Sequence, residues 1–260
     1  MPDTRQHRGP HPEDATLFQP GHWPALRTAV ADLSWLLTHG YAEHAALQLV
    51  GDRFQLAQRQ RIAVMRSASS DQALRHRREA LVPADQLSDQ RLDIDGFNVL
   101  ATIEAALAHG VLLGGRDGCI RDMASMHGSY RHVDETEPAV ILIGQTLAAC
   151  GVAACCWYLD RPVSNSGRLR VRLEQLAASR NWPWQVELSA NVDAVLTASP
   201  HIVATADSVI LDRCRRWFNL AREVLARGLP DAGILDLADT PQGPRDFDRG
   251  PGNPPAVPEN

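Results

Sequence analysis

From Arg91 onward, short apolar runs that end on an acidic or polar residue alternate with amphipathic stretches, and this alternation limits the fold more than any other feature of the chain. Strands are expected at 92–95, 152–159, 185–188, 201–205 and 233–237, and helices at 99–108, 138–149, 167–179, 193–198 and 208–227. Such alternation builds an α/β fold, a mostly parallel sheet flanked by helices. Ligands of open parallel sheets bind beyond the carboxyl ends of the strands, so function is to be sought in the residues that stand there.

The preceding segment has a different character. Residues 1–22, with four prolines and three histidines, read as an irregular N-terminal arm. Residues 23–80 read as a small all-helical module: Leu26, Val30, Leu33, Leu36 and Leu37 keep a helical spacing, His39-Gly40 ends it, and no strand signal follows. A proline-containing linker leads to the α/β domain at 90–238, and the Pro/Gly-rich residues 239–260 are expected to be a disordered tail. The longest apolar stretch, 139–159, is broken by Gly144, Gln145, Thr146 and Gly151 and reads as a buried helix followed by a buried strand, so no membrane partner is expected. Five cysteines without a C-x-x-C spacing indicate neither a disulfide framework nor a structural zinc site, and a cytoplasmic location is expected.

Acids recur at the expected strand ends. The first strand closes on Asp93-Ile94-Asp95-Gly96-Phe97-Asn98, the second on Asp160 before a polar turn containing Asn165, and the fourth on Asp207-Ser208 with Asp212 further along. Carboxylates gathered at one rim repel one another unless a positive charge sits among them, and a hard divalent cation meets that need. Asp95, Asp207 and Asp160 are the expected metal ligands for Mg²⁺ or Mn²⁺, with Asp212 completing the catalytic set and Asp93, Asn98, Ser208 and Asn165 in support. The competing reading is helix capping, in which Asp207, Ser208 and Asn165 stabilise helix N-termini and nothing more.

Two known patterns resemble these residues. Asp93-Ile94-Asp95-Gly96 is similar to the D-x-D-G opening of haloacid-dehalogenase-type phosphatases, which would make Asp93 a nucleophile. That family pairs its acids with a basic residue, usually lysine, and all 26 basic residues here are arginine. Asp95-Gly96-Phe97-Asn98-Val99 resembles the D-G-x-N-V signature of NYN and related PIN-like ribonuclease domains, and Thr205-Ala206-Asp207-Ser208 resembles their later strand end. The whole layout also resembles an uncharacterised prokaryotic family with a helical N-terminal part and a PIN-like C-terminal part. This second resemblance implies a metal-dependent ribonuclease in which Asp95 and Asp207 hold the metal, Asn98 supports the first acid, and Asp160 and Asp212 are further acids. A further acid is expected on a central helix, near Glu135 and Glu137. A PIN-like module that binds RNA without cutting it is the alternative.

With a net charge of −5, the chain does not attract nucleic acid through overall charge, but its arginines are grouped at 53–78 and 161–180. RNA is the expected partner, and a homo-oligomer is left open. Arg116, Arg131, Arg161 and Arg168 are the expected substrate contacts. The first two belong to a polar run from Gly114 to His132 that reads as a binding loop between two helices and includes His127, a general acid or base at most.

Overall fold

The computed structural model describes residues 7–123, 130 and 132–238, so Arg131, His127 and the expected tail lie outside the described residues. Five strands form one wholly parallel sheet: β1 (Arg91–Asp95), β4 (Ala154–Asp160), β5 (Trp184–Ser189), β6 (Ile202–Ala204) and β7 (Trp217–Phe218). Their order is β5-β4-β1-β6-β7. The chain therefore moves outward from β1 on one side, then returns to build β6 and β7 on the other. A crevice opens between β1 and β6, where the direction of progress reverses, and this is the place where open parallel sheets bind ligands.

The strands are joined by α6 (Gly96–Leu107), α7 (Thr136–Ala149), α8 (Ser166–Arg180), α9 (Val192–Thr197) and α10 (Ser208–Leu211), with α11 (Leu220–Gly228) following β7. Because helices cover the sheet, its central strands are buried nearly throughout. Leu92 and Ile94 on β1 and Trp157 and Leu159 on β4 are buried in one cluster with Leu100, Ile103, Val140, Ile143 and Leu173 of the helices. Alternation along β1 puts Asp93 and Asp95 together on the other face. Asp93 is enclosed there, and its carboxylate accepts a hydrogen bond from Ser199 Oγ at 2.5 Å.

A second sheet was not anticipated. β2 (Leu112–Gly114) pairs antiparallel with β3 (Ile120–Asp122) and parallel with β8 (Ile234–Asp236). The 233–237 run is thus a strand, as expected, but it lies outside the main sheet. The polar run from Gly114 is in part a hairpin, closed by a turn with Gly118 at φ +80°. Three-residue strands are too short to show an alternation. The expected helix 208–227 is also interrupted, because Trp217 is drawn onto the sheet edge. Its Nε1 donates to the Arg77 carbonyl at 2.7 Å, and its own carbonyl accepts from the Val82 amide at 2.8 Å.

The N-terminal segment is helical, with α1 (Asp14–Leu17), α2 (Trp23–Thr38), α3 (Glu43–Arg53), α4 (Gln58–Ser67) and α5 (Asp71–Ala80). These helices form a layer that shares its core with the second sheet: Leu26, Leu33, Val50 and Val64 pack with Leu113, Met123, Leu235 and Leu237. No helix among the described residues is long and apolar enough to cross a membrane.

One glycine is fixed by close packing at the head of α6. A Cβ on Gly96 would stand 2.5 Å from Leu159 Cδ2 and 3.0 Å from the Tyr158 carbonyl oxygen. Gly96→Ala should lower stability by about 1–3 kcal/mol, the range typical of overpacking, read as a shift of the urea midpoint. An unchanged midpoint would contradict this packing.

Candidate functional site

Asp95 ends β1 at the mouth of the crevice and is 7% exposed. The residues after β6 are bonded to it and to its turn. Thr205 Oγ1 donates to Asp95 Oδ2 at 2.7 Å, and the Asp207 amide donates to the same Thr205 oxygen at 3.0 Å. The Ala206 amide donates to Asn98 Oδ1 at 2.8 Å. The Asn98 backbone amide also bonds Asp95. The D-G-x-N turn therefore clamps the peptide that carries Asp207. Asp207 itself caps α10, its Oδ1 accepting from the Val209 amide at 2.7 Å and the Ile210 amide at 3.4 Å. Capping and a place at the rim are combined in this residue, since one oxygen serves the helix.

The acids sense one another. Burial, and then the charges of Asp207 and Asp160, push the Asp95 carboxyl up to about 7, against the bonds from Thr205 and Asn98 that favour its ionised form. Burial and the neighbouring Asp193 raise Asp160, and burial and Asp207 raise Asp193. Asp193, in the first turn of α9, is the member that sequence reasoning missed. It follows β5 as Asp207 follows β6, and that repeated position is the signal that could have found it. Among the described residues, no three His, Cys, Asp or Glu side chains form a group that could hold a metal ion by themselves.

Other expected site residues are engaged elsewhere. Asp212 accepts from Arg77 Nε at 2.7 Å. Arg116 donates to the Ser69 carbonyl at 2.8 Å and pairs with Asp71 at 2.7 Å, which fastens the β2–β3 turn to the helical layer. Arg161 donates to the Leu188 carbonyl at 3.1 Å. Asn165, at φ +66°, donates to the Tyr130 carbonyl at 2.9 Å and lines a separate cavity of about 440 Å³ with Arg168 and His132. Of the helix acids, Glu135 pairs with His7 at 2.7 Å and Glu137 pairs with Arg172.

A cleft of about 410 Å³ adjoins the rim. Asn98, Asp207 and Ser208 line one side, and Glu43, Met65 and Arg66 of α3 and α4 line the other. The helical layer is thus a wall of the cleft.

Residues 84–223, more than half of the chain, match the family model described as Domain of unknown function (DUF5616). The chain belongs to this family. The DUF5616 match includes the whole acid rim, from Asp95 to Asp207. Residues 25–79, helices α2 to α5 almost in full, match a second model described as Protein of unknown function (DUF434). A protein of Methanocaldococcus jannaschii described as uncharacterized is 27% identical over 187 residues, which cover 72% of this chain and 89% of that protein. No solved structure matches the chain significantly.

The raised Asp95 carboxyl has a consequence for stability. Its folded value, about 7, lies above its ordinary value of 3.8, so the folded chain holds this proton more tightly than the unfolded chain. Its contribution to stability is complete below pH 3.8 and is lost as pH rises to about 7. Asp95→Asn should therefore stabilise the metal-free protein more at pH 8 than at pH 5, by ~2 kcal/mol in urea unfolding. A difference independent of pH would contradict this placement of Asp95.

Proposed function

We propose that this protein is a metal-dependent nuclease of the PIN-like type that hydrolyses phosphodiester bonds in RNA, using Mg²⁺ or Mn²⁺. The observation that carries the reading is the placing of a buried Asp95 beside Asp207 across the crevice between β1 and β6, with the Thr205 hydroxyl bonding the Asp95 carboxylate and the Asp207 backbone amide. The D-G-x-N-V motif that carries the resemblance is the one that makes this arrangement.

The donor set suits a hard cation. Among the described residues, no arginine or histidine forms an ion pair with Asp95, Asp160 or Asp207, although these acids are electrostatically coupled. Asp95 and Asp207 would hold the ion, with Asp160 and Asp193 adding negative charge. Magnesium is commonly bound through only one or two carboxylates, with water and substrate phosphates filling the remaining places, so a third protein ligand is not required. When bound, such an ion activates water and offsets charge on a phosphate.

The chain does the rest of the work. Burial keeps bulk water from Asp95, Thr205 and Asn98 fix the two acids relative to each other, and Arg66 brings positive charge to the wall of the cleft opposite Asp207 for a phosphate backbone. Asp93, which the phosphatase reading needs as an accessible nucleophile, is enclosed in the sheet and bonded to Ser199.

One observation favours a second reading, an RNA-binding module without chemistry, namely that no three-donor group is assembled among the described residues. The two readings separate in a cleavage assay on single-stranded and structured RNA, with Mn²⁺ or with a chelator. Cutting is expected only with the metal, and Asp95→Asn or Asp207→Asn should slow it by more than about 100-fold, beyond what loss of a supporting group costs. Variants that cut as fast as the parent would overturn the nuclease. Salt-sensitive RNA binding without cutting under any divalent ion would establish the binding module.

A further inference from the structure

A buried ionic group joins the helical layer to the acid rim. The side chains of Arg77, in the last turn of α5, and of Asp117, in the β2–β3 turn, are 3% and 2% exposed, and Arg77 Nη1 donates to Asp117 Oδ2 at 2.5 Å. The same carboxylate accepts from Arg121 Nη1 at 3.0 Å and Nη2 at 2.7 Å, and from the Cys119 amide at 3.1 Å. Burial alone would raise the Asp117 carboxyl, but Arg121 and Arg77 hold it well below the usual carboxylate range. Arg121 then donates through Nε to the Ala206 carbonyl at 2.8 Å. The other edge of Arg77 reaches Asp212 Oδ1 at 2.7 Å and the Ser208 carbonyl at 3.5 Å.

The segment carrying Asp207 is thus gripped on both sides, at Ala206 through Arg121 and at Ser208 and Asp212 through Arg77. It needs such a grip. α10 is four residues long, too short to hold its own geometry, and its first turn is capped by Asp207 itself. Burying two guanidinium groups is costly, and an apolar junction of similar volume would serve stability as well or better. Asp117 must also accept from two guanidinium forks at once, which arginine can supply and lysine cannot.

We propose that Arg77 is a positioning residue for the site. Through Asp117 and Arg121 on one side and Asp212 on the other, it fixes the orientation of Asp207 and makes the helical layer an integral part of the metal-binding rim. The metal part rests on the reading of Asp207 given above, whereas the positioning part does not.

Hydrogen exchange tests the positioning without metal or RNA. In Arg77→Met, amides over 205–212, above all those of Val209 and Ile210 that Asp207 caps, should exchange at least about 10-fold faster, while β4 and α7 keep parental protection. Unchanged exchange over 205–212, or an increase spread equally over β4 and α7, would overturn the proposal. Should Arg77→Met fail to fold, Asp212→Asn removes only the partly exposed end of the junction and should raise exchange over the same residues in the same pattern, with the same results counting against it. Calorimetric titration of the full chain with Mn²⁺ is the second measurement. Affinity should fall by about 10-fold in either variant. Parental affinity in both would overturn the role of Arg77 at the metal, whereas no Mn²⁺ binding by the parent would overturn the nuclease reading and leave exchange to decide the positioning.

Discussion

A carboxylate buried among like charges persists in its ionised form only where positive charge reaches it. Asp95 is held under that constraint at the point where the sheet reverses its direction of growth. Its own turn and the turn after β6 are bonded through Thr205 and Asn98, so the acids meet because the two central strands meet. Apolar packing on one face of β1 and β4 makes the place rigid, and the packed backbone at Gly96 leaves the turn little room to move. Charge that the fold concentrates in this way is stabilised by protons at low pH and, on the reading proposed, by a divalent ion at neutral pH.

The helical layer is part of the same construction. It shares a core with the second sheet, walls the cleft, and reaches the Asp207 segment through Arg77. Arginine makes these joints throughout: Arg116 fastens the β2–β3 turn, Arg59 holds Asp14 of the N-terminal arm at 2.7 Å, and Arg8 holds the buried Glu104 at 2.6 Å. In a chain without lysine, the planar fork of arginine lets one side chain bind two partners, which suits junctions between layers.

The parallel sheet is legible because β4 and β6 are apolar runs and β1 and β5 alternate apolar with polar residues, all bounded by turn residues, and Asp95, Asp160 and Asp207 are legible as the acids at or just past their ends. Where long-range contacts decide, sequence was silent. Asp212 looks like one more rim acid, yet its partner Arg77 lies 135 residues away. Arg116 and Arg161 look like free phosphate donors, but they satisfy backbone carbonyls. β2, β3 and β7 are two or three residues long and exist because of what they pair with, not because of any pattern of their own. Asp193 was passed over because Asn191-Val192-Asp193 reads as an ordinary helix start, and Asn191 does cap α9, accepting from the Ala194 amide at 2.9 Å.

The most direct measurement is a crystal structure of the full chain grown with Mn²⁺, with data collected at the manganese absorption edge. An anomalous peak within about 2.0–2.6 Å of carboxylate oxygens of both Asp95 and Asp207 is the predicted result. A rim without a peak at saturating Mn²⁺, with Asp95 still bonded to Thr205 and Asp207 only capping α10, would contradict the account.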